Sequence, residues 1–162
     1  MALAEGLQAG AFPALEGLNP SYCQTPWVGI KELLAAFRDG ACSGLRQLDI
    51  QSNCIGNEGA VRLSEALQAG WGPDLEEINL RRAGLGRKGV HALAQALRKG
   101  ACPSLKKLDL GFHEIGGKGV VPLARALHAT HALTDLILPF TEIGEEGLQA
   151  WVRRWKRGPH PS

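Results

Sequence analysis

Apolar residues along this chain fall into blocks that combine two rhythms. In Leu45–Leu67, LRQLDIQSNCIGNEGAVRLSEAL, the residues Leu45, Leu48 and Ile50 follow L-x-x-L-x-L. Leu48 and Ile50 share one face at period two, which predicts a short strand. From Gly59 the apolar residues are Val61, Leu63, Ala66 and Leu67. Their three-to-four spacing predicts an amphipathic helix. Between the two halves Ile55 reads as an apolar plug.

The block recurs thirty residues on as Leu75–Leu97, LEEINLRRAGLGRKGVHALAQAL, and again as Leu105–Leu127, LKKLDLGFHEIGGKGVVPLARAL. An earlier, degenerate copy starts at Leu15, where Leu18, Gly29, Leu33 and Phe37 keep register while Pro20, Thr25 and Pro26 break it. A later copy starts at Leu133 after a spacing shortened to 28, with Trp151 and Trp155 in columns that hold Leu elsewhere. The chain thus divides into repeats 15–44, 45–74, 75–104, 105–132 and 133–158. A partial unit, 1–14, precedes them and a disordered tail, 159–162, follows. Leu3–Gly10 matches the helix end at Leu63–Gly70. This unit is either the remnant of a longer array or an improvised cap; truncation or divergence from a longer ancestor is the preferred reading.

A repeat array buries each unit against its neighbours rather than around one centre. Stacking these units lays the strands side by side about 4.8 Å apart in a parallel sheet. The wider helices lie outside, so the stack bends with the sheet inward. Two glycine columns, Gly56–Gly86–Gly116–Gly144 and Gly59–Gly89–Gly119–Gly147, mark special backbone angles or close approach. Gly40, Gly70 and Gly100 fit the position just past a helix end. Pro20 is expected in the first strand and Pro139 at the end of the last, where a ladder needs no donor.

The pattern L-x-x-L-x-L-x-x-N-x-I-G-x-x-G-x-x-x-L-x-x-A-L resembles the leucine-rich repeat, in its long ribonuclease-inhibitor-like subclass. NOD-like receptors and Ran GTPase-activating proteins carry the same subclass. The resemblance covers roughly residues 3–158 and implies an α/β solenoid, a horseshoe segment with the sheet on its concave face and the helices on its convex face. It also implies protein binding. The Asn column holds Asn53 alone; the other copies have Cys23, Ala83, His113 and Thr141. An Asn there would bond the neighbouring coil's backbone, so its absence predicts a less regular ladder. The inhibitor is long and cysteine-rich, and this chain is neither.

Residues that alternate with the core leucines form four columns on the inner face. They are Gly17, Gln47, Glu77, Lys107, Asp135; Asn19, Asp49, Asn79, Asp109, Ile137; Ser21, Gln51, Arg81, Gly111, Pro139; and Tyr22, Ser52, Arg82, Phe112, Phe140. Exposed aromatics beside arginine are the usual make-up of interface hot spots. Glu77, Asn79, Arg81, Arg82, Asp109, Phe112 and Phe140 are therefore the candidate partner-binding residues. The plainer reading tucks both phenylalanines into the core and leaves the charges solvated.

Other chemistry is poorly supported. Asp49 and Asp109 lie two repeats apart, roughly 10 Å by strand spacing, near the upper end of the about 6.5–9.5 Å range of inverting glycosidase carboxylates. No cleft or acid-tuning pocket accompanies them. His128 and His131 have no further ligand at metal spacing. Cys42 and Cys102 are too far apart to bridge, and although Cys23 and Cys54 are in neighbouring repeats, a reduced, buried role is expected for the cysteines. Arg153–Arg157 is basic with an aromatic and could touch RNA or lipid; it reads better as tryptophans covering the last coil with solvated cations around them. A net charge of +2 gives no strong field for nucleic acid or membrane. The reading is a non-enzymatic, cofactor-free, cytoplasmic monomer that binds a protein partner, with no signal peptide and no metal. The alternative is a GTPase-activating protein of the Ran-activator type, acting through Arg81 or Asn79.

Overall fold

The computed structural model describes residues 2–10, 12, 14–20, 27–127 and 129–155. Tyr22, Cys23, His128, His160 and the 159–162 tail lie outside them, as do the side chains of Trp151 and Trp155. Helices and strands alternate: α1 Ala2–Gln8, β1 Gly17–Leu18, α2 Trp27–Arg38, β2 Gln47–Asp49, α3 Gly56–Gln68, β3 Glu77–Asn79, α4 Arg87–Arg98, β4 Lys107–Asp109, α5 Gly116–Ala126, β5 Asp135–Ile137 and α6 Gly144–Trp155. The strands form one parallel sheet in the order β1-β2-β3-β4-β5.

Register follows the repeat. Leu48 pairs with Ile78, Ile78 with Leu108, and Leu108 with Leu136. The last step spans 28 residues rather than 30, and α5 is correspondingly short, 11 residues against 13 in α3. Each helix packs on the next, α1 to α6 in sequence. Helices pack roughly 8–10 Å apart and strands about 4.8 Å apart, so the sheet lines the inner face of a bent stack.

The leucine ladder is the core: Leu48, Leu63, Ile78 and Leu93 are at most 2% exposed. Each such side chain stabilises the fold by about 1.5–3 kcal/mol relative to exposure. The helical face is rotated slightly from the expectation, because Ala60, Leu63 and Leu67 share one side of α3. Ala60 is buried, and Val61 is half-exposed. Trp71 joins two coils, stacking on Phe37 at 4.1 Å and donating its indole N–H to the Ala41 carbonyl at 2.7 Å.

The glycine columns separate into the two causes anticipated. Gly56 and Gly116 take left-handed φ of 62° and 65° at the entry to their helices. At Gly89 the reason is contact, since an added Cβ would lie 2.9 Å from the Ala60 Cβ. The same close approach lets Asn57 of α3 cap α4 from the neighbouring coil. Its Oδ1 accepts from the Gly86 N–H at 2.9 Å and the Gly89 N–H at 2.7 Å. These are first-turn donors that α4 has no side-chain cap of its own to satisfy.

Three expectations need correction. The ladder stays in register although the Asn column is mostly lost, because other donors serve it. Asn53 Nδ2 donates to the Pro20 carbonyl at 2.8 Å. His113 Nε2 donates to the Leu80 carbonyl at 2.7 Å, while its Nδ1 accepts from the Leu85 N–H at 3.3 Å. Thr141 Oγ1 donates to the Leu138 carbonyl within its own coil at 2.8 Å. Secondly, Pro20 and Pro139 lie two residues beyond β1 and β5, outside the ladder, because the strands are shorter than the leucine motif. Thirdly, Cys54 is exposed and Cys42 half-buried; among the described cysteines only Cys102 takes the buried role, and burial pushes its thiol up to about 12.

Two predictions follow from these inter-coil bonds. Asn57→Ala leaves two helix-start donors without their acceptor and should destabilise the chain by about 1–2 kcal/mol in urea denaturation; a loss within error would remove the capping role. The neutral Nε2–H form of His113 satisfies both its partners, and a proton on Nδ1 would face the Leu85 N–H. Burial lowers its folded pKa, so on acidification the unfolded chain takes up the proton first. Stability is therefore complete above about pH 6.5, the ordinary histidine value, and falls as pH drops below it. His113→Asn should keep the carbonyl contact and flatten this slope; equal slopes in both proteins between about pH 5 and 7.5 would refute it.

Candidate functional site

The inner-face columns do three different jobs. In the second column the carboxylate or amide turns the chain out of its strand. Asp49 Oδ1 accepts from the Gln51 N–H at 3.1 Å, Asn79 Oδ1 from the Arg81 N–H at 3.1 Å, and Asp109 Oδ1 from the Gly111 N–H at 2.8 Å. These are Asx turns, in which a short polar side chain mimics a backbone turn. The fifth coil shows the same rule from its other side. Pro139 has no N–H to satisfy, and the column residue two before it is Ile137 rather than Asp or Asn.

This removes Asp109 from the expected open patch: it is 9% exposed, its carboxylate turned onto its own loop. Asn79 is half-buried and doubly engaged, because its Nδ2 also donates to Asp49 Oδ2 at 3.2 Å. Asn19 Nδ2 donates to the same Asp49 oxygen at 3.4 Å, so this column is linked across three coils.

Charged pairs run along the strand starts. Glu76 takes hydrogen bonds from Lys106, at 2.8 Å, and from Arg46, and these hold its carboxyl at about 2. Glu77 pairs with Lys107 at 2.7 Å, a bond that raises the Lys107 pKa. The charge alternation Arg46–Glu76–Lys106 is visible in the sequence as a column one residue before the four considered, and was missed there. Exposed pairs of this kind contribute little, since solvent and salt screen them.

The fourth column differs from all of these. Ser52, Arg82, Phe112 and Phe140 have φ of 55°, 52°, 63° and 52°, the left-handed region that favours glycine. For an L-residue this conformation costs roughly 1–2 kcal/mol. It persists because the backbone is tied coil to coil: the Arg82 N–H donates to the Gly111 carbonyl at 3.1 Å and the Phe112 N–H to the Pro139 carbonyl at 2.7 Å. Pro139 is itself seated against Gly111, where a Cβ would lie 2.8 Å from its ring.

These turns bring four of the expected residues together. The Phe112 ring is the hub. The Arg81 guanidinium lies 4.1 Å from its centroid, the Arg82 guanidinium 4.5 Å, and the Phe140 ring 4.5 Å at a tilt of 33°. Phe112 is half-buried beneath them, and Phe140 is 76% exposed. The alternative of two phenylalanines tucked into the core is not what the fold adopts. Neither arginine forms an ion pair among the described residues. The like charges of the two guanidiniums repel, which offsets part of cation–π contacts of about 0.5–1 kcal/mol each.

Among the described residues no group of three His, Cys, Asp or Glu side chains could hold a metal ion, and no helix is long and apolar enough to cross a membrane.

Comparison with known proteins agrees with this geometry. A sequence profile described as Leucine Rich repeat matches residues 41–64 and 101–124, each covering a strand, its turn and the start of the following helix. No curated relative matches the sequence. Among solved structures, actin-binding site 2 of leiomodin-1 superposes with a TM-score of 0.70 at 17% identity, over 95% of this chain and 88% of that one. The tropomodulin C-terminal domain of Caenorhabditis elegans superposes with a TM-score of 0.72 at 15% identity, over 96% and 93%. Matched coils, one unbroken register and a shared solenoid shape give this chain the leucine-rich repeat fold.

Proposed function

We propose that this chain is a non-catalytic protein–protein interaction module, a scaffold or sensor segment, that binds its partner on the inner face beyond β3, β4 and β5. The observation that carries this reading is the Arg81–Arg82–Phe112–Phe140 cluster. Elsewhere on the inner face, Asp49, Glu77, Asn79, Lys107 and Asp109 are engaged with the next coil or with their own turn. Arg82, Phe112 and Phe140 stand on strained backbone, Arg81 joins them from the column beside, and together they leave a large aromatic surface and two cations toward solvent. Aromatic and arginine side chains grouped this way are typical anchors of protein interfaces. In leiomodin-1 a solenoid of similar shape is an actin-binding site, so the architecture serves protein binding there.

Glu77 would sit at the rim, paired with Lys107 and contributing mainly to orientation. Free thiols at Cys42, Cys54 and Cys102 suit a reducing cytoplasm, and the array is read as a single copy. The GTPase-activating alternative needs Asn79 or Arg81 to reach out to another active site. Asn79 is engaged on both ends of its amide, and Arg81 rests on the Phe112 ring.

The test is capture of partners from lysate on immobilised protein. Arg82→Ala and Phe112→Ala should each weaken capture, with hot-spot losses of about 2 kcal/mol or more, while the melting temperature stays within a few degrees. Phe140→Gly is more discriminating. Glycine relieves the left-handed backbone, so this variant should be as stable as the parent or more so by about 0.5–1 kcal/mol while losing capture. Undiminished capture in all three variants would end the proposal.

A further inference from the structure

The guanidiniums of Arg81 and Arg82 converge on one ring without an acidic partner among the described residues, and the acidic side chains of the adjoining columns are occupied. Glu77 pairs with Lys107 at 2.7 Å, Asp109 accepts from the Gly111 N–H at 2.8 Å, and Asp49 accepts from the Gln51 N–H at 3.1 Å and from Asn79 at 3.2 Å. We propose that this cluster takes a peptide carboxylate flanked by a large apolar side chain: the carboxylate pairs with the arginines, and the apolar side chain lies on Phe140. The inference rests on the interface reading above and names the partner's chemistry.

Three features carry it. Arginine presents a planar fork of donors that matches a carboxylate bidentately. Both guanidiniums are gathered over the Phe112 ring, at 4.1 and 4.5 Å from its centroid, and an anion near them offsets their like charge. Phe140, 76% exposed and 4.5 Å from Phe112, continues the ring surface outward, so an apolar plate adjoins the cationic pair. The turns are held by the Arg82-to-Gly111 and Phe112-to-Pro139 backbone bonds, at 3.1 and 2.7 Å, so little ordering remains to be done on binding. Nucleic acid is less well matched. Phosphate-backbone binding draws on many cations, whereas this site offers two on a chain of net charge +2.

The experiment is selection of a displayed library of short random peptides on the full chain, followed by fluorescence anisotropy with the recovered sequences. Enrichment of Asp or Glu within a few residues of an aromatic or large aliphatic residue is expected. Affinity should fall about tenfold or more in Arg81→Ala and in Arg82→Ala, and it should weaken as salt rises. Arg82→Glu should redirect selection toward Lys- and Arg-bearing peptides at unchanged melting temperature, an outcome that loss of folding cannot produce. Amidated and free C termini on the synthetic peptides separate a chain-terminal carboxylate from a side-chain one.

Acidic peptides that bind Arg81→Ala and Arg82→Ala as well as the parent overturn the proposal. Neutral peptides lost only in Phe112→Ala and Phe140→Ala overturn the carboxylate while leaving the interface reading intact. Selected peptides indifferent to all four residues remove both. A labelled single-stranded RNA that binds more tightly than any selected peptide, and is lost in Arg82→Ala, replaces peptide with nucleic acid.

Discussion

Everything in this molecule depends on a coil finishing its neighbour's hydrogen bonds. One coil here is a strand of about three residues and one helix, too little to bury an apolar face alone. Strand groups are satisfied by the next strand, and turn carbonyls by Asn53 or His113. The first donors of α4 are satisfied by Asn57 from the helix before. Such groups are costly to bury unpaired, about 1–3 kcal/mol each. A slip between coils would therefore orphan donors at several levels at once and move leucines off their seats. The constraint fixes register more tightly than hydrophobic stacking alone, because burial by itself is non-directional.

Fixed register is what makes a surface of columns possible. Residues thirty apart face the same way at adjacent strands, so a contact between coils needs only compatible neighbours in one column. Arg46, Glu76 and Lys106 use this for alternating charge. Asp49 and Asn79 use it for an amide–carboxylate bond. Arg82, Phe112 and Phe140 use it to bring a cation and two rings together, with Arg81 joining from the column beside it. The first two arrangements satisfy the participants within the chain. The third leaves charge and apolar area unsatisfied.

Much of the fold was legible because it rests on spacing. The leucine motif, the helix period and the shortened last repeat each fix a geometry that few other arrangements satisfy, and Leu48↔Ile78↔Leu108↔Leu136 follows from them. Roles that depend on chemistry rather than residue type were less legible. The Asn column needs a donor aimed at a carbonyl, and an imidazole in one tautomer supplies it as well as an amide does, so His113 looked like a loss and is a replacement. Asp109 looked like an exposed acid because column alternation reports which way a Cα–Cβ bond points. It does not report that a short carboxylate will fold back onto the N–H two residues on. Cys54 was misjudged for a related reason: it stands in a turn, where the period-two rule has already ended. Of the candidate site, the pairing of Arg82 with Phe112 across coils was readable from the columns, and the left-handed backbone beneath both was not. No sequence period encodes φ.

That backbone is what separates side chains kept for the stack from side chains kept for something else. Where the fold needs a residue, it uses it: Asn57 caps, His113 donates, Gly89 makes room, and Ile137 precedes a proline that requires no turn acceptor. The fourth-column turn asks only for φ near 55–65°, which glycine adopts freely and asparagine tolerates. Three successive coils place Arg, Phe and Phe there instead, and the last of these is largely in solvent. Phe112 recovers some of the cost through its two cations and its ring partner. Phe140 has only the one ring contact against a strained backbone and a hydrated apolar surface. Folding stability alone favours glycine at that position, so the reason for a phenylalanine there is to be sought in a contact outside the chain.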